Sequence, residues 1–519
     1  EIGKNMTLLE CDDQILIIDC GMTFPDYEMP GIDIVIPDFS YVIENQNKIV
    51  GMIVSHGHED HIGAIPYLLR EINIPVYGTR LTLGLIETKL EEQNVMGDLR
   101  ILDPGDTIKL GCFKVEAIRT THSIADSLCF AINTPVGLIF HSGDFKIDHT
   151  PLDGEAFDFH KLAEIGDRGV KLMLCESTNA VRPGFTRSEK VVKENLEEIF
   201  KKIKGRIIIA TFSSNVHRVQ AIVDNAIKCG RKVAFSGRSM ETVVNLAIEL
   251  GYLKIKDGYL VDLSMTRDIP DSKLVIITTG SQGEPMSALS RISTDEHRQI
   301  KLKIGDTVIL SSTPIPGNER TVYDVVNALF RHGANVIYSD VADIHVSGHA
   351  CSEELKIMHS LIKPEYFMPV HGEIRHQIEH AKLAISMGMD EDNIFVLENG
   401  ELLELTEKKA KVLQDRVQAD AILVDGLGVG DVGNIVLRDR KMLSEAGLLI
   451  ITCVIDQDTN EVLAGPDIKN VCVNTISKCL LIGITDRQTL KSRVKNSLSD
   501  YIYETTKRTP IILPVFMEV

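Results

Sequence analysis

Two histidine-bearing stretches lie on either side of a long segment with a different rhythm, so any fold for this chain must bring them back together. Between about residues 188 and 343, five apolar runs alternate with helical segments: Arg206–Ala210, Lys232–Ser236, Lys273–Thr278, Asp306–Ser311 and Asn335–Ser339. Near-continuous apolar runs separated by helices are the pattern of a doubly wound parallel sheet. Ligand-like chemistry precedes this block and returns after it, in His345-Val-Ser-Gly-His349 and Pro369-Val-His-Gly-Glu373. The block therefore reads as a unit inserted into a metal-binding domain. A chain of 519 residues exceeds a single hydrophobic core, so two or three domains are expected. The expected division is 1–187 and 344–425 for the interrupted domain, 188–343 for the insertion, 426–440 for a linker and 441–519 for a small C-terminal α/β domain with an assembly role.

The first stretch alternates short strands with polar loops. Gln14–Cys20 ends at Gly21, Ile49–Val54 leads into a histidine loop, Phe113–Ile118 leads into Thr121-His122-Ser123, and Leu138–Phe140 leads into Ser142-Gly143-Asp144 after a hairpin turn at Thr134–Gly137. Ala64–Ile72 has helical spacing. Sheets flanked by helices, with polar loops gathered at strand ends, are expected.

The histidine loop is Ser55-His-Gly-His-Glu-Asp-His61. His56, His58, Asp60 and His61 offer imidazole nitrogen and carboxylate oxygen, donors that suit zinc, from a short loop able to aim them at one point. Two ligand pairs on one turn can face two adjacent ions, the arrangement of two-metal phosphoester hydrolysis. Two such ions need more ligands, and His122, Asp144 and His371 stand in similar strand-end settings. Taken singly, each has an ordinary alternative: a hydrogen-bonded histidine, or an aspartate forming a turn.

Composition excludes some classes. No apolar run approaches the roughly 20 residues that span a bilayer; Gly447–Ile455 reads as a buried strand, followed by a turn at Asp456–Asn460, a second strand, an amphipathic helix near Arg487–Lys507 and a closing strand Ile511–Met517. Ten scattered cysteines without a Cys-x-x-Cys pair argue for reduced thiols and a cytoplasmic location. A net charge of −19 argues against coating nucleic acid by bulk counterion release. No secretory signal opens the chain, and its start at Glu1-Ile-Gly-Lys, without methionine, is expected of a sequence short of a few residues.

His-x-His-x-Asp-His, followed by His122, Asp144 and a late histidine, resembles the metallo-β-lactamase superfamily. The inserted unit, with Glu176-Ser-Thr-Asn179 before it and Ser347-Gly-His349 and Pro369-Val-His371 after it, resembles the β-CASP nucleases. Gly57–Ala64, Thr211–Arg218, Thr279–Pro285, Pro314–Glu319 and Val424–Asp431 are similar to the bacterial ribonuclease J family over essentially the whole chain. The resemblance implies an α/β fold: an αββα metallo-β-lactamase sandwich interrupted by a doubly wound β-CASP domain, plus the C-terminal domain.

It further implies two zinc ions, with manganese the alternative. His56, His58 and His122 would hold one, Asp60, His61 and His371 the other, and Asp144 would bridge them. Glu176, His349 and His371 match the β-CASP acidic, second and third motif positions, and a histidine at the third goes with RNA. The implied activity is 5′-to-3′ exonuclease and endonuclease cleavage of single-stranded, 5′-monophosphorylated RNA, in mRNA decay and rRNA maturation. His349 is the candidate for assisting the leaving 3′ oxygen, and Glu176 for orienting a ligand or catalytic histidine. A capping or turn carboxylate is the alternative for Glu176. Asp60 counts among both ligands and catalytic residues. Implied partners are RNA, a second copy in a dimer or tetramer, a paralogous subunit and other RNA-decay proteins, without a membrane.

Two small-residue loops are candidates for holding the RNA 5′ phosphate: Ser214, Asn215 and Val216, where a strand gives way to a helix, and His345, Val346, Ser347, Gly348 and His349. Ser-Ser-Asn also reads as an ordinary helix cap. Arg218, Arg238 and Arg320 are expected in surface ion pairs and receive no role. Asp425 and Asp431 read as a tight turn, with a further cation the alternative.

Other functions leave different marks. A thioesterase or lactonase on the same metal fold would not need the insertion, and a flavin-linked diiron relative would carry glutamate at position 58. A DNA-specific β-CASP nuclease would lack His371. A non-catalytic paralogue would lose ligands, first at Asp60-His61.

Overall fold

The computed structural model describes residues 1–519 except 27, 285–286, 315–317, 427, 456–461, 465–467 and 519. The turn expected at Asp456–Asn460 lies outside the described residues. Two compact units are present: residues 1–23 with 36–421, and residues 24–35 with 422–519.

In the larger unit two sheets lie face to face. One is ordered Thr7–Cys11, Gln14–Ile18, Ile49–Ile53, Pro75–Gly78 and Asp98–Ile101. The other is ordered Tyr366–Val370, Val170–Glu176, Gly137–His141, Leu128–Thr134, Phe113–Arg119 and Thr107–Leu110. Leu16, Ile18 and Ile53 from the first pack against Val115, Phe130, Ile132 and Leu174 from the second. The outer face of the second sheet carries Phe140, Met173, Cys175 and Phe367. It is covered by Leu162 and Ile165 of helix Phe159–Asp167, by Leu355 and Met358 of helix Ser352–Ile362, and by Leu383 of helix Ile374–Ser386. Helices Ile65–Glu71 and Arg80–Glu92 bury Leu68, Leu81 and Ile86 on the other side. The result is the expected αββα sandwich. The hairpin read at Thr134–Gly137 is present, with Gly137 opposite Thr134.

The five apolar runs form one all-parallel sheet, ordered Lys232–Ser236, Leu274–Thr278, Ile207–Ala210, Thr307–Leu310 and Asn335–Ile337. Its central strand, Ile207-Ile-Ile-Ala210, is wholly buried. A parallel strand covered on both faces needs apolar residues throughout instead of alternation, which is why these runs are uninterrupted. Ile208, Ile276 and Val308 meet helices Ala288–Ser293 and Glu319–Arg331.

Chain leaves the sandwich after Val170–Glu176 and re-enters it at Tyr366–Val370, and these two strands are parallel neighbours with Glu176 opposite Val370. The insertion thus opens and closes at adjacent strands of one sheet.

In the smaller unit Leu448–Ile455 lies between Val462–Ala464 and Ile511–Glu518. Helices Lys469–Leu481 and Arg487–Thr506 cover one face, with Ile512, Ile476, Val494 and Leu498 buried. The helix at Lys469–Leu481 was not legible in the sequence. Nor is the first part of the central strand buried throughout, as its apolar composition implied: Leu448 and Ile450 are exposed, as are Leu513 and Val515 of its neighbour. Those two helices pack on Leu449 and Ile512, and alternate residues of the strands point the other way. The stretch 426–440, read as a linker, carries the short strand Gly428–Val429 and the start of helix Asn434–Ala446. Asp425 pairs with Arg440.

Among the described residues no helix is long and apolar enough to cross a membrane, and Cys11, Cys20, Cys112, Cys129, Cys175, Cys229, Cys351 and Cys479 are free thiols.

Phe367, on the re-entry strand, is fully buried beneath the outer helices. Phe367→Ala is expected to cost about 3–5 kcal/mol, read as a lower denaturant midpoint with unchanged slope.

Candidate metal centre

Each predicted ligand follows a strand of the sandwich, and the strand ends converge. The histidine loop leaves Ile49–Ile53 and turns into the short helix Glu59–Ile62. It rests on the chain at residues 20–22: Cys20 N donates to the His61 carbonyl (2.8 Å) and Met22 N to the Glu59 carbonyl (3.0 Å). A Cβ at Gly21 would lie 1.6 Å from the Asp60 carbonyl oxygen, so only glycine fits beneath the loop.

His56, His58 and His122 form one group whose ligand atoms lie within 4.8 Å of one another. His56 Nε2 and His122 Nε2 each stand 3.1 Å from His58 Nδ1. Asp60, His61, Asp144 and His371 form a second group on the same criterion. Asp144 joins the two. Its Oδ2 lies 3.0 Å from His371 Nε2, 3.2 Å from His61 Nε2, 3.7 Å from His56 Nε2 and 3.9 Å from His122 Nε2. Sequence reasoning named all seven residues and divided them in this way.

Partners outside the cluster fix the tautomers. The Gly348 carbonyl can only accept, so His122 Nδ1 carries the proton of their 2.8 Å bond and Nε2 faces inward with a lone pair. Asp19 does the same for His61, accepting from Nδ1 at 2.7 Å. It also accepts from Ser55 N (2.7 Å) and Ser55 Oγ (2.8 Å), and Ser55 Oγ is then free to accept from His56 Nδ1 at 3.0 Å. One buried carboxylate thereby orients two ligand imidazoles. Asp19 has a left-handed backbone, φ 60°, and so does His371, φ 48°. The His371 carbonyl accepts from Ser177 N (3.2 Å) and Thr178 Oγ1 (3.0 Å), which holds that conformation.

Charge divides the cluster. Burial, then neighbouring imidazoles, hold His56 and His122 well below the ordinary histidine value, and burial brings His58 down to about 4. These three are neutral, as ligands must be. At the second group burial again opposes charge, but Asp144 and Asp60 outweigh it and raise His371 to about 10. His61 is likewise raised by Asp144, Asp60 and Asp19 against burial. Asp60 and Asp144 are depressed by these imidazoles despite their own burial. Three convergent lone pairs on one side and two carboxylates drawing positive charge on the other make a pocket for cations. Asp144 Oδ1, buried and without a hydrogen-bond partner among the described residues, is a donor atom still to be used. The residues present fit a divalent metal centre.

His349 stands at the edge of the cluster, partly exposed, with Nδ1 3.0 Å from Glu176 Oε2 and 3.8 Å from Asp144 Oδ2. Burial opposes its charge, and Glu176 then Asp144 raise its pKa above the ordinary value. Glu176 caps no helix: its Oε1 accepts from Phe145 N (2.9 Å), beside Asp144, and its Oε2 meets His349. His349 also shares ligand range with His122 and Asp144.

The two candidate substrate loops differ in how open they are. Ser214 is half-buried, but Val216 and Asn215 are buried, and Asn215 Oδ1 caps helix Val216–Lys228 by accepting from Arg218 N (2.9 Å). In the second loop Ser347 Oγ accepts from Asn179 Nδ2 (2.9 Å). Val346 is buried, and His345 and Ser347 are half-buried. Gly348 cannot carry a side chain, since a Cβ would lie 2.6 Å from the His122 ring.

Sequence reasoning missed the supports. Asp19 sits in Ile-Ile-Asp-Cys-Gly21, where a carboxylate ending a buried strand was the available signal. Glu354 is fully buried and accepts from Ile147 N (2.7 Å), Thr186 N (2.7 Å) and Cys351 N (2.8 Å), tying two remote segments to the start of its own helix. Arg218, expected at the surface, is completely buried against Glu189.

Four family models match the chain. They describe the metallo-beta-lactamase superfamily over residues 2–154, the ribonuclease J beta-CASP domain over 204–329, a Zn-dependent metallo-hydrolase RNA specificity domain over 334–397, and the ribonuclease J C-terminal domain over 435–481 and 467–519. Among similar proteins, Ribonuclease J 1 of Streptococcus pyogenes is 43% identical, with all of this chain and 96% of the relative covered. Ribonuclease J of Thermus thermophilus is 41% identical over 100% and 93%, and that of Synechocystis 46% over 90% and 73%. A solved structure of a protein of unknown function from Enterococcus faecalis V583 superposes with a TM-score of 0.54 at 15% identity. It covers 79% of this chain and 97% of its own, a likeness of fold alone.

Asp19→Ala is expected to weaken metal binding about 10- to 100-fold in competition with a chelator. Unchanged affinity would contradict the role given to Asp19.

Proposed function

The chain belongs to the ribonuclease J family, whose members are metal-dependent RNA hydrolases, and on that premise we propose that it is a two-zinc ribonuclease. It cleaves single-stranded RNA by 5′-to-3′ exonuclease and endonuclease action, prefers a 5′-monophosphate, and serves mRNA decay and rRNA maturation in the cytoplasm. The observation that carries this reading is the convergence of seven ligand residues, from both sides of the insertion, beside the His349–Glu176 pair.

In this reading His56, His58 and His122 hold one ion, Asp60, His61 and His371 the other, and Asp144 bridges. Zinc matches the imidazole-rich donor set, with manganese the alternative. Two such ions would supply Lewis acidity there, activating water and offsetting charge on the attacked phosphate. The protein's own groups do the remainder. Asp19, Ser55 and the Gly348 carbonyl keep three imidazoles turned inward. Glu176 holds His349 by Nδ1 and favours its protonated form, leaving Nε2 to donate to the departing 3′ oxygen. Loops 214–216 and 345–349 receive the 5′ phosphate. Asn215 and Val216 are buried and their N–H groups already donate to the Phe212 and Ser214 carbonyls, so the contribution of the first loop is the Ser214 hydroxyl.

The domain division that goes with this reading is 1–187 and 344–425 for the metallo-β-lactamase part, 188–343 for the β-CASP part, 426–440 as the connection and 441–519 for the C-terminal part. The uncovered apolar face of Leu448, Ile450, Leu513 and Val515 supports homo-oligomerisation through the C-terminal unit. A paralogous subunit or another RNA-decay protein is the alternative occupant. The Asp425–Arg440 pair gives Asp425 a partner without a further cation.

His58→Ala and Asp144→Ala are expected to abolish degradation of 5′-monophosphorylated RNA while the fold is retained by circular dichroism. His349→Ala is expected to keep its metal and lose kcat about 10²- to 10⁴-fold. Matched RNA and DNA strands assayed side by side test the substrate: RNA is cut and DNA is spared. Full activity in either ligand variant, or equal cutting of DNA, would overturn the assignment.

A further inference from the structure

The inserted domain joins the sandwich through two chain crossings, residues 186–189 outward and 343–349 on return, and one buried guanidinium reaches both. Arg218 lies on helix Val216–Lys228 and has no exposed surface. Its Nε donates to Glu189 Oε2 (2.8 Å) and its Nη2 to Glu189 Oε1 (2.7 Å), a two-pronged pair with the outward crossing. Its Nη1 donates to the Ser311 carbonyl and hydroxyl (3.0 Å each), with the Ile344 carbonyl at 3.4 Å and His345 Nδ1 at 3.5 Å on the return crossing. Ser311 Oγ adds a bond to the Ile344 carbonyl at 2.6 Å. Burial, then the guanidinium, pushes His345 down to about 3, so its imidazole is neutral and able to accept.

The loop that starts at Ile344 ends in the catalytic centre. Its Gly348 carbonyl fixes the tautomer and tilt of His122, and its His349 pairs with Glu176. The outward crossing holds the far end of the loop, where Thr186 Oγ1 donates to the His349 carbonyl at 2.6 Å. Both ends are therefore anchored, one of them by Arg218.

We infer that Arg218 is a positioning residue for RNA cleavage: with Glu189 it clamps the head of loop 344–349 and so sets the placement of His122 and His349 without touching RNA. This rests on the reading of the centre as an RNA hydrolase. Lysine cannot substitute, because a single ammonium cannot span Glu189, Ser311 and Ile344 together.

The test uses the metal-loaded protein and three variants: Arg218→Met, Arg218→Lys and the double variant Arg218→Met/Glu189→Leu. The first leaves Glu189 buried and unpaired and lowers the melting temperature, whereas the double variant removes both charges and recovers it. In the recovered double variant kcat on a 5′-monophosphorylated single-stranded oligonucleotide falls on the order of 10- to 100-fold, because a loop displaced by about 1 Å misaligns the reacting groups. kcat/KM falls at least as far as kcat, because loop 344–349 also carries residues proposed to receive the 5′ phosphate. Arg218→Lys does not rescue kcat. In the metal-free protein, amide exchange over residues 344–349 quickens in the double variant. Recovery of kcat together with stability would make the pair purely structural and overturn the inference, as would a raised KM at unchanged kcat, which shows His122 and His349 still in place. A wild-type holoenzyme that leaves RNA intact sinks the functional reading instead, and the exchange comparison still decides whether Arg218 holds the loop.

Discussion

The parallel pairing of Tyr366–Val370 with Val170–Glu176 is the interaction on which the rest depends. It joins strands on opposite sides of an inserted domain and sets their ends level, with Glu176 opposite Val370. The residue after Val370 is His371. The strand on the other side of Val170–Glu176 is Gly137–His141, whose end turns through Gly143 to Asp144. Register thus puts His371, Glu176 and Asp144 at one rim of one sheet, and the facing sheet brings the histidine loop to the same place. A one-residue slip would move every side chain of the strand to the opposite face, breaking both the buried core around Phe367 and the centre.

The same architecture accounts for the electrostatics. A buried cluster of imidazoles and carboxylates is costly unless each group has a defined partner. Here the outward-facing nitrogens of His61, His56 and His122 are paired with Asp19, Ser55 and a backbone carbonyl, which turns their other nitrogens inward, whereas His371 Nδ1 is buried without a hydrogen-bond partner among the described residues. The chain's net charge of −19 does not prevent such a site from receiving RNA. In the proposed reading recognition is local, through the metal centre and the loop at Gly348.

Legibility followed chemistry and periodicity. The seven candidate ligand residues could be named because the His-x-His-x-Asp-His loop is distinctive and the family resemblance points to His122, Asp144 and His371 at other strand ends. The five strands of the insertion could be read because burial on both faces leaves an unbroken apolar run. What escaped were groups whose meaning lies in contacts between remote segments. Arg218 looks like any surface arginine of an acidic protein until Glu189, Ser311 and Ile344 are seen around it. Asp19 looks like a turn residue, and Glu354 looks like a helix-surface glutamate although it takes three backbone N–H groups. In the C-terminal unit an apolar strand read as buried has one open face, because composition does not record how many sides of a sheet are covered.

The central claim is that a two-ion centre closes only when chain from both sides of the insertion meets. Diffraction from crystals grown with zinc, recorded at the zinc absorption edge, tests it most directly. The account predicts two anomalous peaks about 3.5–4 Å apart, one among His56, His58 and His122, the other among Asp60, His61 and His371, with Asp144 touching both. A single peak, or a second ion held without His371, would contradict it.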